Sequence, residues 1–191
     1  MRKFDLSLER KDDLEKGKKA EKIVFDYLTK NKGHNLIDVT DIQKYRNIDV
    51  DFLMKFKNRD FMIEVKSDEV ISKSKNFYLE YDMYLRDKTI EGWMTKSKAD
   101  YLIYYCPSND TLYILDFNIL REWAKNQQKK KIWDKKEKCY TDVILLNINI
   151  AIKKGILKNE NIIQNVAQLA FACWVFLLQR KDLILWQNML I

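Results

Sequence analysis

The sequence predicts a mixed α/β domain, a central mixed β-sheet flanked by helices, and three observations carry that expectation. Two short runs, Ile48-Asp49-Val50-Asp51-Phe52-Leu53-Met54 and Phe61-Met62-Ile63-Glu64-Val65-Lys66, alternate with period two, as strands do when successive side chains point to opposite faces. Upstream, Ala20, Ile23, Val24, Tyr27 and Leu28 recur at i, i+3, i+4, i+7 and i+8, the buried stripe of an amphipathic helix. Downstream, further apolar runs are separated by short turn signals, with one more helical segment among them.

The first helix spans residues 17–28, with Gly33 as its stop signal. At about 100° per residue, Glu21 lies roughly 20° around the axis from Leu14 and from Leu28, so it borders the buried stripe. Its i+4 position is Phe25, not a lysine, so a helical ion pair toward the C-terminus does not explain it. Residues 34–40 read as a strand. The two motif runs follow, and the six residues between them contain Asn58-Arg59, a hairpin turn signal. Residues 76–81 form another strand-like run. Residues 99–106 and 111–117 read as strands joined by Pro107-Ser108-Asn109-Asp110, and residues 118–127 read as a helix. A short strand over 143–148 and a helical turn over 150–156 complete the order. The chain divides into a core over 1–120, a basic helix, loop and short strand over 121–158 that complete it, and a hydrophobic helical appendage over 159–191.

Chemistry concentrates in the two motif runs. Glu64 and Lys66 share one strand face while Phe61, Ile63 and Val65 share the other. Antiparallel pairing brings Asp51, 13 residues before Glu64, close to it, because neighbouring strands lie only about 5 Å apart. Two carboxylates at that distance repel by about 3 kcal/mol at an effective dielectric near 20, which favours protonation or a bound cation. All-oxygen ligands suit Mg²⁺, with Mn²⁺ as a substitute. Asp49, two residues upstream, is a further candidate ligand. Zinc is disfavoured, since His34 is the single histidine and Cys106, Cys139 and Cys173 have no CxxC spacing. The competing reading is a solvated strand face, which routinely carries Asp, Glu and Lys.

Asp51 followed by Glu64-Val65-Lys66 resembles the core motif of the PD-(D/E)xK nuclease superfamily, with Val50 standing at the proline position. Gly17-Lys18-Lys19-Ala20-Glu21-Lys22-Ile23-Val24-Phe25-Asp26-Tyr27-Leu28 resembles the first helix of the archaeal-type Holliday-junction resolvases. Gly92-Trp93 and Ala99-Asp100-Tyr101-Leu102-Ile103-Tyr104-Tyr105 are similar to the later core segment of small phage and bacterial nucleases of the same superfamily. The resemblance covers roughly residues 12–120. It implies a restriction-endonuclease-like core in which Asp51 and Glu64 hold metal, Glu21 adds a ligand from the first helix, and Lys66 assists the attacking water. The implied activity is Mg²⁺-dependent hydrolysis of DNA, on branched or junction DNA in recombination or phage-type replication. A restriction or defence nuclease is the nearest variant. A catalytically silent nuclease-fold module that binds DNA or protein is the alternative class.

Composition agrees with such a partner. Lys and Arg number 35 against 28 Asp and Glu, a net charge of +7, which favours phosphate backbones. Over residues 129–138, six lysines face Asp134 and Glu137 for a net charge of +4. Lys129, Lys130, Lys131, Lys135, Lys136 and Trp133 are thus candidate DNA contacts. A solvated helix end and loop, with the tryptophans folded back onto the core, is favoured over direct base stacking. Glu80 is a candidate neighbour of the site, with a solvated strand position as the favoured alternative. No glycine-rich nucleotide-binding loop is present, so no nucleotide cofactor is expected. Three scattered cysteines and no signal peptide point to the cytoplasm. The apolar run at 169–178 falls short of the roughly 18 residues of a membrane span. A buried or dimerising helix is favoured there, and a homodimer also suits an enzyme that cuts two symmetric strands.

Overall fold

The computed structural model describes residues 6–30, 35–56, 59–85, 88–134 and 138–162. In chain order the elements are α1 (Leu6–Lys30), β1 (Asn35–Asp38), α2 (Gln43–Arg46), β2 (Phe52–Phe56), β3 (Arg59–Ser67), α3 (Ile71–Ser74), β4 (Asn76–Leu85) and β5 (Lys88–Glu91). There follow α4 (Trp93–Lys96), β6 (Tyr101–Cys106), β7 (Thr111–Asp116), α5 (Phe117–Ala124), β8 (Lys130–Asp134), β9 (Cys139–Asn147), α6 (Ile148–Lys153) and β10 (Leu157–Ile162). The fold is mixed α/β, as expected. Six strands form one sheet in the order β1-β2-β3-β6-β7-β10, and four form a second in the order β5-β4-β9-β8. The first sheet is mixed, since β3 and β6 run parallel while its other pairs are antiparallel. The motif strand β3 is therefore central.

Each face of the large sheet has its own core. On one side Ala20, Val24, Tyr27 and Leu28 of α1 pack on Phe52, Met54, Ile63, Val65 and Ile103, each worth about 1.5–3 kcal/mol for the larger side chains. The helical stripe and the alternation of β3 thus interlock. On the other side Leu53, Leu102, Tyr104, Tyr113 and Leu115 meet Phe77, Leu79, Ile144 and Leu146 of the second sheet, with Phe117 and Leu120 of α5 closing one end. Helix α5 begins at Asp116, whose carboxylate accepts from the Asn118 and Ile119 amides, an N-cap that satisfies two otherwise orphaned donors. Helix α6 ends at Gly155, whose φ of +65° lets the Ile156 amide return to the Ala151 carbonyl at 2.9 Å.

Several elements differ from the sequence expectation. Residues 48–50 are not strand. Asp49 sits in the left-handed region at φ +43°, the Val50 amide returns to Tyr45 O, and Ser97 Oγ donates to Asp49 O at 2.9 Å. A short polar side chain tolerates that conformation, and the tertiary contacts hold it, so alternation begins only at Phe52. The basic segment is likewise not a helix end and loop. Residues 130–134 form the edge strand β8, where Trp133 pairs with Tyr140 and Lys131 with Asp142 of β9. Residues 157–162 pair as β10 against β7 with a bulge between Leu157 and Asn159, so the first residues assigned to the helical appendage are strand. The rest of that segment, His34, Gly33, Lys135 and Lys136 lie outside the described residues. No described helix is long and apolar enough to cross a membrane.

Candidate active site

The site forms where the turn after α2 delivers Asp51 to the edge of the β2–β3 ladder. That ladder pairs Phe52 with Ile63. One residue earlier, the Asp51 amide donates to Ile63 O at 2.9 Å, and the Val65 amide donates to Asp51 Oδ2 at 2.7 Å. Asp51 is thereby locked level with Glu64. Glu64 and Lys66 share the β3 face turned toward the second sheet, beside Leu102 and Tyr104 of the parallel strand β6. The Lys66 ammonium donates to Glu64 Oε1. Glu64 is only 3% exposed, while Lys66 keeps 29% of its side chain open to solvent. Glu64 Oε2 is buried with no hydrogen-bond partner.

A cleft of about 520 Å³ joins Glu21, Asp49, Asp51, Glu64, Lys66 and Lys96. Glu21 reaches it from α1 and is electrostatically coupled to Asp51 and Lys66. Burial, and then the negative charge of Asp51 and Asp49, pushes the Glu64 carboxyl up to about 8 against the opposing pull of Lys66. Asp51 is raised by burial, against the Val65 amide and Lys66. Glu21 is raised by burial, then by Asp51 and Asp38. Burial disfavours the Lys66 ammonium, yet Glu64 and Asp51 outweigh it and its pKa ends above the usual lysine value. Even with Lys66 among them and Lys18 near Glu21, all three carboxyl groups take up protons unusually easily. Such a cluster is stabilised by an added positive charge, whether protons or a cation.

The residues fit an oxygen-liganded divalent ion by that chemistry. Glu64 Oε2 is buried with no protein hydrogen-bond donor, and a buried carboxylate oxygen is costly unless partnered. Among the described residues no group of three acidic, histidine or cysteine side chains forms a ready metal cage. Mg²⁺ is usually held by one or two carboxylates, with waters and substrate phosphate completing its shell.

Glu21, Asp51, Glu64 and Lys66 line one cleft. Asp49 also lines that cleft, but its carboxylate accepts from Lys96 Nζ at 2.7 Å. Glu80, half-buried on β4, is raised by burial, with Lys66 opposing and Asp134 and Asp49 adding to the rise, which places it within electrostatic range of the site. The basic strand is partly neutralised by its own sheet. Lys129 lies 3.5 Å from Asp82 and over the Tyr81 ring, and Lys131 lies 3.6 Å from Asp142 and over the Tyr84 ring. Trp133 is 47% exposed and meets Tyr140 edge-on, rather than folding onto the core.

Sequence reading missed Lys18, Arg46 and Lys96 on the cleft wall and Asp38 beside Glu21 and Asp51. Lys18 carried a signal through its place three residues before Glu21 in the helix motif, and Lys96 through its place just after Gly92-Trp93. Gly92 itself has a steric cause. A Cβ there would collide with the carbonyl oxygens of Tyr81 and of Glu80, the latter at 2.7 Å, where β4 breaks register between Glu80 and Asp82.

No protein-family model and no curated protein match the chain. Among solved structures, the bacterial homing endonuclease I-Ssp6803I is similar over 68% of this chain and 74% of its own length, at 13% identity and a TM-score of 0.44.

Proposed function

We propose that the chain is a Mg²⁺-dependent DNA endonuclease that hydrolyses phosphodiester bonds at the Asp51, Glu64, Lys66 and Glu21 cluster. The observation that carries this reading is the buried, unpartnered Oε2 of Glu64 beside Asp51. A merely solvated strand face does not bury a carboxylate and raise its pKa to about 8.

Asp51 and Glu64 would hold the ion, with Glu21 reaching it from α1. Mg²⁺ supplies Lewis acidity and lowers the pKa of a bound water. Lys66, held by Glu64 at the cleft surface, offsets charge that builds on the phosphoryl oxygens as the attacking water closes on phosphorus. The attacking water gives up a proton to solvent as its oxygen bonds to phosphorus, the bond from phosphorus to the leaving sugar oxygen breaks, and that oxygen takes a proton from solvent. Lys18, Arg46 and Lys96 on the cleft wall engage neighbouring phosphates. The lysines of β8 add sequence-independent, salt-dependent attraction.

Branched or junction DNA is the substrate class we favour, with action as a homodimer, on the strength of the first-helix resemblance. A cleavage panel tests both activity and substrate class: linear duplex, flap, single-stranded and four-way-junction DNA, each with Mg²⁺, Mn²⁺ or EDTA. Cleavage that needs the metal and disappears in Glu64→Ala and Lys66→Ala, with folding and most DNA binding retained, supports the reading. Equal activity in the wild type and both variants rules the site out. Metal-independent binding without turnover on any substrate favours the silent module.

A further inference from the structure

Lys66 lines a second cleft as well, of about 410 Å³, together with Asp68, Asn76, Tyr78, Trp93 and Tyr104. Glu21, Asp51 and Glu64 take no part in it. Its aromatic walls are fixed. Trp93 packs at 6.2 Å on Tyr104 and at 5.9 Å on Phe117, and the Tyr104 hydroxyl donates to the Tyr78 carbonyl at 2.6 Å. The Lys66 ammonium that faces Glu64 also lies 5.6 Å from the centre of the Trp93 ring. One side chain therefore separates the carboxylate cluster from an aromatic cleft.

We propose that this cleft receives one unpaired nucleobase, belonging to the nucleotide whose phosphate sits at the carboxylate cluster. The proposal rests on the nuclease reading above and deepens it by naming the state of the substrate. The volume is at the low end for ligand clefts, in the size class of a single nucleoside. Tyr104 is only 2% exposed, so stacking falls to Tyr78 and Trp93, and aromatic rings stack on any base because every base has a π-face. The Asn76 amide is engaged with Ser74 O and Asn147, whereas Asp68, whose Oδ1 accepts from the Val70 amide at 2.7 Å, keeps further carboxylate lone pairs for an exocyclic amine of a base. It also repels a second phosphate, which argues against a polyphosphate occupant. Within continuous duplex the base is stacked and paired, and entering the cleft requires flipping it out. At a flap, gap, branch or single strand that cost falls away. The cleft thus selects DNA with an unpaired nucleotide at the cut.

The test is calorimetric titration of the full chain, in Mg²⁺ and in parallel in EDTA, with dAMP, dCMP, deoxyribose 5-phosphate and inorganic phosphate, none of which carries a phosphodiester bond to cut. The mononucleotides are expected to bind at least about tenfold more tightly than the two baseless probes, in line with the value of one stacked base. Tyr78→Ala should remove that advantage and Tyr78→Phe should keep it. Leu145, 39% exposed and paired with Tyr78 at the cleft, offers a second variant, because Leu145→Trp fills the cleft and should abolish base-dependent binding on its own. Equal affinity for dAMP and deoxyribose 5-phosphate, or base-dependent binding that survives in folded Tyr78→Ala and Leu145→Trp, overturns the proposal. Binding is read here without turnover. A protein that cleaves DNA yet ignores the base sinks only this inference, and one that binds bases yet never cleaves sinks only the nuclease reading.

Discussion

The backbone amide of Val65 donates to Asp51 Oδ2 at 2.7 Å, which ties the carboxylate in front of β2 to the peptide between Glu64 and Lys66. One hydrogen bond thus sets the spacing of all three site residues. It also spends one Asp51 oxygen on the backbone, so the role of Asp51 is partly to position. Asp51→Asn keeps that acceptor and should fold normally, while cleavage falls by about 10²-fold or more, the scale seen when a group that stabilises transition-state charge is lost. Single-turnover cleavage beside a thermal melt checks it. Wild-type turnover in Asp51→Asn would sink the assignment.

Glu64→Gln should abolish cleavage and raise thermal stability at pH 8. The fold holds a buried acid whose charged form is disfavoured, and a neutral amide removes that cost. Several degrees are expected, at about 2–4 °C per kcal/mol for a chain of this size. A melting temperature lowered at pH 8 contradicts the buried-charge account.

Stability without metal should fall as pH rises. The Glu64 carboxyl titrates near 4.5 unfolded and at about 8 folded. Between those values the folded state binds the extra proton, so unfolding becomes easier with each step up in pH. Glu21 and Asp51 are shifted the same way and add to the slope. Below about pH 4.5 and above about pH 8 the Glu64 contribution is flat. Melts from pH 4 to 9 in EDTA read this directly, and Glu64→Gln should flatten the curve.

Added Mg²⁺ should reverse that loss, by about 2.7 kcal/mol at a hundred times its Kd. The gain should be larger at pH 8 than at pH 5, because protons compete for the same carboxylates. Chelation should restore the original melt. A Mg²⁺ shift of equal size in Asp51→Asn with Glu64→Gln would place the ion elsewhere.

Gly92→Ala should destabilise the fold by about 1–3 kcal/mol, the usual cost of forcing atoms into packed space. Its new methyl group has only the rigid backbone of Glu80 and Tyr81 to push against. Gly17, by contrast, has open space around it inside α1, and Gly17→Ala should stabilise by about 0.5–1 kcal/mol. Urea melts of the two variants give opposite signs if the packing is as described.

The sequence by itself determined the local grammar of this protein. The helical stripe from Ala20 to Leu28, the alternation of β3, and the facing of Glu64 and Lys66 away from Ile63 and Val65 all follow from periodicity. Side-chain direction in a regular element depends only on its own backbone. The tertiary structure decided what long-range contacts control. It set Asp49 in a left-handed turn captured by Lys96 and Ser97, and it turned the lysine-rich stretch into the edge strand β8 by pairing it with β9. It also brought Lys18, Arg46 and Lys96 onto one cleft wall and set Trp93 beside Lys66. Lys96 and Ser97 lie far along the chain from Asp49, and Trp93 from Lys66, and no repeat or spacing records those meetings; the β8–β9 pairing is local, but its lysines carry no strand periodicity. The depth at which Glu64 is buried is likewise a property of the two packed sheets, and that burial, more than the residue itself, raises the Glu64 carboxyl.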